Sequence, residues 1–377
     1  MKVTVSVDSF KGSLSTFQAG SAVADGIKRI FSDADIKICP LADGGEGTVD
    51  AVIGAMNGRT VEATVRNPLG LPIKSSYGIT STQTAVIEMA SASGLTLVEE
   101  KDRNPLYTTT YGVGELIKNA IEEGCRKFLI GIGGSATNDG GIGMLQALGF
   151  EFLDENGKQV KFGAIGLKDI VNIKTDNALK ELSECEFCVA CDVKNILCGE
   201  YGCSNVFGRQ KGATDEMISD MDGWLKGYAD LTKKIIPSAD PSIEGTGAAG
   251  GLGFAFFAYL NATLKSGVDL IINETGIEKH IKESDIVVTG EGRLDGQSYM
   301  GKAPIGIAKL AKKYNKKVVA FSGCVTDDAV KCNEYGIDAF FPILRTPCTL
   351  DDAMKEENAY KNLADTAEQV FRLLKTI

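Results

Sequence analysis

The chain has 377 residues, of which 44% are hydrophobic and 24% are charged, values typical of globular proteins that bury a normal core. The 50 acidic and 40 basic residues give a formal net charge of −10, which argues against nucleic acid and anionic membranes as partners, because both attract basic surfaces. The length favours about two to three domains, and no apolar run is long enough to span a membrane, so we expect a cytoplasmic protein.

Strand and helix patterns alternate at both ends of the chain. The first half of this pattern comprises a strand at 3–8, a helix at 15–31, a strand at 36–42 and a helix at 46–56. The pattern returns late, with a strand at 285–290, a helix at 303–314, strands at 317–323 and 338–343, and a closing amphipathic helix. This β-α-β-α order predicts a parallel sheet with helices on its faces.

The middle of the chain has a different pattern, which indicates a second α/β domain. Residues 65–79 contain proline and glycine between β-like runs, and the apolar run AVIEMA follows at 85–90. A helix is predicted at 112–123 and a strand at 127–132, before the loop GIGGSATNDGGIG. Residues 247–264 are predicted to form a glycine-rich loop that leads into a buried helix.

Cysteine and histidine usage limits the chemistry. The ten cysteines show no metal-ligand spacing and favour a reduced chain. Cys185, Cys188 and Cys191 are spaced by three, but they lie in an apolar strand pattern that would turn them to different faces, so a zinc site is disfavoured. The one histidine, His280, lies in a helical pattern, and a Ser-His-Asp triad would have to use it.

Four segments that follow predicted strands combine acidic, hydroxyl and glycine residues, and two of them also contain lysine or arginine. They are DSFKGSLS (8–15), LADGGEGT (41–48), GIGGSATNDGGIG (131–143) and TGEGRLDGQSYMGKAP (289–304). In open α/β sheets, ligands bind outside the carboxyl ends of the strands. One such segment is typical of an ordinary turn between strand and helix, whereas four together favour a ligand site.

The residue types in these segments suit phosphoryl transfer, which needs positioning, a metal ion, cations and a carboxylate near the attacking hydroxyl. Carboxylates can bind Mg²⁺ or accept a proton, lysine and arginine can hold anionic oxygens, and glycine N–H groups can point at a phosphate. The P-loop pattern GxxxxGK[ST] is absent, and the loop at 131–143 lacks the last glycine of GxGxxG.

At these residues the chain resembles the bacterial glycerate kinases, a family of two-domain α/β enzymes without a P-loop. The resemblance runs along essentially the whole chain, through DSFKGSLS, LADGGEGTVDA, GIGGSATNDGGIGMLQALG, CDVKN with FGRQKGA, GTGAAGGLGF and VTGEGRLDGQSYMGKAP. It implies ATP-dependent phosphorylation of D-glycerate with Mg²⁺ in organic and sugar acid catabolism, with 2-phosphoglycerate as the expected product. It is also compatible with a homo-oligomer.

The resemblance further implies a flavodoxin-like domain built from residues 1–70 and 285–377, with an α/β domain inserted at 71–284 and the active site in the cleft between them. We expect catalytic roles for Asp8, Lys11, Asp43, Asp192 and Arg293, and metal binding by Glu291 and Asp295. The expected substrate- or nucleotide-binding residues are Gly44, Gly45, Glu46, Gly133, Gly134, Ser135, Asn138, Asp139, Gln210, Lys211, Gln297 and Lys302.

Two functional alternatives stay open at this point. The enzyme can be a kinase for another small hydroxy acid, or the chain can be a sensor that binds a hydroxy acid without catalysis. A sensor needs no metal carboxylates, so the acidic residues at the strand ends favour an enzyme. The sequence does not distinguish Asp8, Asp43, Asp192 and Asp295 as the catalytic base, and it does not fix which hydroxyl is phosphorylated.

Overall fold

A computed structural model describes residues 1–10, 12–42, 44–45, 47–296, 298–300 and 302–376. The strands of these ranges are β1 (Lys2–Val7), β2 (Asp35–Ile38), β3 (Arg59–Arg66), β4 (Pro72–Ile79), β5 (Thr84–Glu88), β6 (Lys127–Gly131), β7 (Glu151–Leu153), β8 (Asn172–Lys174), β9 (Glu186–Ala190), β10 (Thr263–Lys265), β11 (Ile286–Leu294), β12 (Lys317–Val325) and β13 (Ala339–Pro342).

The α-helices are α1 (Thr16–Lys28), α2 (Thr48–Ala55), α3 (Ala90–Ser93), α4 (Tyr111–Glu122), α5 (Ile142–Ala147), α6 (Ala164–Leu167), α7 (Cys203–Phe207), α8 (Asp215–Ile235), α9 (Ala248–Leu260), α10 (Gly267–Thr275), α11 (Ile277–Glu283), α12 (Ala303–Lys313), α13 (Leu350–Met354) and α14 (Glu356–Leu374). Short 3₁₀ helices lie at Leu95–Leu97, Glu100–Asp102, Lys180–Glu184, Arg209–Lys211, Ser298–Met300 and Asp327–Tyr335. No helix of the described residues has both the length and the apolar composition to cross a membrane.

One compact unit comprises Met1–Asp43, Asp50–Met56 and Gly267–Ile377. Its five-stranded sheet has the order β13-β12-β11-β1-β2, and every neighbouring pair is parallel. Counted within this unit, the order is 2-1-3-4-5, the flavodoxin-like arrangement. Helices α1 and α14 pack on this sheet, and their apolar faces share a core with the buried strand residues Val5, Val288 and Phe321. We call this the terminal unit.

The other compact unit comprises Gly44–Val49 and Asn57–Ser266, and we call it the middle unit. Its six-stranded sheet has the order β10-β9-β6-β5-β4-β3, in which β5, β6, β9 and β10 are parallel and β3 and β4 are antiparallel. Its core contains stacked Phe128 and Phe187, together with the buried side chains of α4, α5, α8 and α9. The predicted α/β class with parallel sheets is confirmed.

The unit boundaries differ from the expected domain boundaries at 70 and 285. Residues 57–70 contain β3, which pairs along its whole length with β4 in the middle unit, so they do not extend the flavodoxin-like sheet. Residues 267–284 contain α10 and α11 and belong to the terminal unit.

Strand β11 is also longer than the predicted strand at 285–290. It continues to Leu294 because β12 stays paired with it as far as Val325. Glu291 and Arg293 therefore lie on a strand and not in the loop after it.

Candidate active site

The terminal unit contains a cavity of about 320 Å³ at the carboxyl ends of β1, β11, β12 and β13. In a sheet of this order, β1 and β11 are the neighbours from which the chain winds in opposite directions, and ligands of such folds bind at that point. Asp8 follows β1, and Glu291 lies near the end of β11, so both carboxylates are positioned by adjacent strands. The cavity is thus where the fold predicts a ligand.

Carboxylates and a lysine form a cluster on one side of this cavity. The Lys302 ammonium lies 3.6 Å from Glu291 Oε2 and 3.8 Å from Asp295 Oδ1. Ser298 Oγ donates a 2.5 Å hydrogen bond to Glu291 Oε1, and its own backbone N–H donates to the carbonyl of Asp295. The turn between Asp295 and Lys302 therefore folds back on Glu291, which brings three predicted site residues together.

Lys302 is the N-cap residue of α12, with Pro304 in the first turn. A cation at this end of a helix is unfavourable with respect to the helix dipole. As an expected substrate- or nucleotide-binding residue, Lys302 would hold an anion here, and the structure shows that Glu291 and Asp295 already provide negative charge beside it. Lys302 can hold a phosphate oxygen only by sharing its charge with these carboxylates or by leaving them.

Asp8 and Arg293 complete the polar side of the cavity. The Asp8 side chain is 6% exposed, and its Oδ1 accepts a 2.6 Å hydrogen bond from the backbone N–H of Ser9. The Arg293 guanidinium is largely exposed, and its Nε lies 3.3 Å from Asp295 Oδ2. The predicted site residues Lys11, Asp43, Glu46 and Gln297 lie outside the described residues.

The carboxylates of this cavity fit Mg²⁺, the metal that the resemblance implies. Mg²⁺ prefers hard oxygen ligands, and beside a nucleotide it needs only one or two carboxylates because phosphate oxygens and water supply the rest. Glu291 and Asp295 provide such oxygens on one wall. Among the described residues, no three His, Cys, Asp or Glu side chains are grouped as a metal site made by protein ligands alone.

The opposite side of the cavity is apolar and comes from one continuous segment after β13. Ile343 and Leu344 directly follow the strand, and the short helix α13 contributes Leu350, Ala353 and Met354. Thr349 begins α13 as its N-cap, because its hydroxyl accepts a hydrogen bond from the N–H of Asp352. This wall was not predicted from the sequence, where its only signal is the apolar residues that follow the last strand.

In the middle unit, the predicted glycine loop follows β6 and lies against the segment Gly44–Gly45. A Cβ atom on Gly131 would lie 2.2 Å from the Gly44 carbonyl oxygen, so only glycine permits this backbone approach. Gly133 and Gly134 are exposed, and a Cβ on Gly133 would be at an ordinary 3.4 Å from Gly45. The structure therefore brings the two predicted phosphate-binding glycine pairs together.

Lys211 stabilises this loop through hydrogen bonds from its buried side chain. Its side chain is 2% exposed, and Nζ donates hydrogen bonds of 2.8 Å to Ser135 Oγ and 2.6 Å to the Thr137 carbonyl. Burial lowers the pKa of Lys211 to about 8, and the nearby Asp139 carboxylate partly opposes that shift. Lys211 therefore binds the glycine-rich loop itself.

Asp139 and Asn138 are also fully buried. Asp139 Oδ2 accepts hydrogen bonds from the backbone N–H and the hydroxyl of Thr110, and Oδ1 accepts one from the Gly141 N–H. Burial raises the pKa of Asp139, and these donors limit the rise. The Asn138 amide donates to Ser204 Oγ. Their expected contacts with substrate stay a prediction, and their positions favour a role in holding the loop.

A second glycine-rich turn fixes the far end of this loop. The backbone of Ala249–Gly251 is left-handed, so the regular part of α9 begins after it. The Gly140 N–H donates to the Gly250 carbonyl, and a Cβ on Gly250 would lie 2.1 Å from the Thr137 carbonyl oxygen. Most glycines of the loop at 131–143 and of this second turn are therefore needed because two backbone segments lie close together.

The remaining predicted residues of the middle unit are exposed. Asp192 follows β9, and Gln210 lies in the 3₁₀ helix that also carries Lys211, with its side chain in solvent while that of Lys211 is buried. The roles of Asp192 and Gln210 stay predictions. Thr110 binds Asp139 and Ser204 binds Asn138. Neither partner was identified from the sequence, because a run of threonines at Thr108–Thr110 does not indicate which residue one of them contacts.

Comparison with known proteins gives matches along the full chain. A model described as the glycerate kinase family matches residues 3–375. The glycerate kinase of Haemophilus influenzae is 45% identical over 99% of both chains, and the glycerate 2-kinase of Escherichia coli is 45% identical over 98% of this chain and 97% of that protein. The crystal structure of a Salmonella typhimurium LT2 protein assigned to glycerate kinase 2 matches with a TM-score of 0.92 and 44% identity, covering 100% of this chain and 98% of that chain.

Proposed function

The chain belongs to the glycerate kinase family, and on that basis we propose that it transfers the γ-phosphoryl group of ATP to D-glycerate with Mg²⁺, forming 2-phosphoglycerate. It is a kinase whose phosphoryl acceptor is an alcohol group. The structural observation that supports the proposal is the terminal-unit cavity, where three carboxylates and two cations surround one space at the ligand-binding point of the sheet. These are the groups that phosphoryl transfer requires.

In this reaction a hydroxyl oxygen of glycerate forms a bond to the γ-phosphorus, the bond from that phosphorus to the bridging oxygen of ADP breaks, and the hydroxyl proton passes to a base. Glu291 and Asp295 would hold Mg²⁺, which neutralises phosphate charge when bound. Lys302 and Arg293 would stabilise the charge on the transferring group. Asp8 is a candidate base within the same cavity, and Asp8→Asn is expected to lower kcat with little change in stability.

The middle-unit loop has a supporting role in this proposal. Gly133 and Gly134 are exposed and follow the carboxyl end of β6, where backbone N–H groups can bind an anionic oxygen of a substrate. Ser135, which Lys211 holds by a hydrogen bond, lies next to them. Direct ligand contacts by these three residues are proposed on their position alone.

A coupled assay for ADP release tests the reaction with ATP, Mg²⁺ and D-glycerate. Phosphorus NMR of the product then tests the regiochemistry, because a phosphate on C2 couples to one proton and gives a doublet, whereas one on C3 couples to two and gives a triplet. A triplet would overturn the 2-phosphoglycerate assignment and leave the kinase assignment intact. Turnover with lactate or another hydroxy acid, but not with D-glycerate, would overturn the acceptor.

A further inference from the structure

We infer that the apolar wall of the terminal-unit cavity, formed by Ile343, Leu344, Leu350, Ala353 and Met354, receives the nucleotide base, so that this cavity is the ATP subsite. The inference rests on the proposed function for the identity of the two substrates. The inference goes beyond the proposed function by assigning ATP to the terminal unit and its base to one set of side chains.

The size of the cavity favours a nucleotide over glycerate. Its volume of about 320 Å³ falls at the lower end of the range of roughly 300–1,000 Å³ found for pockets that hold ligands of nucleotide or drug size. Glycerate has three carbons and would leave much of this space unfilled. A nucleoside with its phosphates extends across it.

The division of the lining favours the same ligand. The polar side comes from the ends of β1 and β11, with Asp8, Glu291 and Lys302, and the apolar side comes from the segment after β13. Every carbon of glycerate carries an oxygen, so glycerate has no surface that gains by contact with leucine and methionine. A purine has two flat faces that do gain, and its phosphates would reach the polar side.

Two large apolar side chains of the wall are exposed. Leu350 is 75% exposed and Leu344 is 42% exposed, although both line the cavity. Single exposed leucines are common and need no explanation. Here both belong to the rim of a cavity, and a base that enters it would cover them.

Leu350 allows a test that does not disturb folding, because a side chain so exposed contributes little to the core. Leu350→Gln is compared with Leu373→Gln, a matched control on α14 that is 58% exposed and lies outside the cavity lining. Binding of ADP carrying a fluorescent N-methylanthraniloyl group is titrated with each full-length variant, and excess unlabelled ADP confirms that the signal reports the same site.

We expect Leu350→Gln to raise the Kd of the fluorescent ADP and the KM for ATP by about tenfold, equivalent to about 1.4 kcal/mol, with the KM for D-glycerate changed less than about twofold. Leu373→Gln should match the parent. ADP, but not D-glycerate, should protect the exposed Cys324, which also lines the cavity, from alkylation by iodoacetamide, as measured by peptide mass spectrometry.

A rise in the KM for D-glycerate with an unchanged Kd for the nucleotide would assign the wall to the acceptor and overturn the inference. Parent-like values for both substrates would show that the wall contacts neither, and would also overturn it. If the parent binds ADP in this way but does not phosphorylate D-glycerate, the inference holds and the proposed function fails.

Discussion

The buried Lys211 gives the most quantitative prediction, because its charge has a cost that depends on pH. Lys211→Met keeps most of the side-chain volume but removes the ammonium and its hydrogen bonds to Ser135 Oγ and the Thr137 carbonyl. At pH 7 the ammonium is charged in both the folded and the unfolded chain. Burial lowers the pKa of Lys211 from 10.5 to about 8, which corresponds to a free-energy cost of about 3 kcal/mol for burying the charge.

The variant avoids this cost but leaves two buried acceptors without their donor, at about 1–3 kcal/mol each. The two effects nearly cancel, so we expect Lys211→Met to change the free energy of unfolding by less than about 2 kcal/mol at pH 7.

The pH dependence of the parent's stability has a definite sign. Since the folded pKa lies below the unfolded one, the unfolded chain binds more protons between about pH 8 and 10.5, and the parent gains stability as pH rises through that window.

Between pH 7 and pH 9.5 this gain is about 2 kcal/mol for the parent and absent in Lys211→Met. Urea unfolding can be followed by the fluorescence of the single tryptophan, Trp224, which lies on α8 in the middle unit and so reports that unit. If both proteins show the same pH dependence, Lys211 does not titrate in this window and the reasoning is refuted. Lys226→Met, on the exposed side of α8, is the control.

Lys211→Met should also lower kcat/KM by about 10–100-fold, because the loop that it holds carries the proposed ligand contacts and small displacements are costly in catalysis. A purely structural role would leave kcat/KM unchanged in the folded variant. Lys226→Met should retain parental activity.

Three further predictions concern the metal and the two units. Excess EDTA should abolish turnover and added Mg²⁺ should restore it, and full activity in EDTA would contradict the assignment of Glu291 and Asp295 as metal ligands. Lys302→Met should lower kcat/KM by a factor of about 10²–10³ with folding retained. Lys309→Met, on the exposed side of the same helix, is the control and should keep the parental kcat/KM. If Lys302→Met lowers kcat/KM by less than about threefold, Lys302 is an ordinary ion-pair partner. Gly131→Ala should destabilise the protein by about 1–3 kcal/mol in thermal unfolding, because its methyl group would clash with the Gly44 carbonyl. Gly133→Ala should unfold like the parent and show any effect in KM. Equal stability of the two variants would contradict the close backbone contact at Gly131.

The order of the elements could be predicted from the sequence because apolar periodicity is a local property. The strands at the two chain ends and the helices between them appear close to the predicted residues, including α12 at Ala303–Lys313 and α14 at Glu356–Leu374. The end of β11 was not predictable, since it depends on its pairing with β12. The unit boundary near residue 57 depends in the same way on the pairing of β3 with β4.

The site was predictable to the extent that residue type fixes chemistry. Glu291, Asp295 and Lys302 were identified as a charged group, and the structure places them within ion-pair distance. The direction in which a side chain points is not a property of residue type. Gln210 and Lys211 are adjacent and were assigned the same role, yet one side chain is exposed and the other is buried against the loop.

The same limit explains the glycine-rich loop. A glycine run shows that backbone must come close to something, but the sequence does not say whether that is a ligand or the protein itself. At Gly131 the neighbour is the Gly44 carbonyl, where a side chain would clash, whereas at Gly133 there is room for a methyl group and the residue is open to solvent. Gly134 has a φ of +75°, so a β-branched residue there would strain the backbone whether or not the loop binds a ligand. Gly133→Ala is therefore the substitution that separates ligand binding from folding, because its methyl group would meet Gly45 only at an ordinary van der Waals distance.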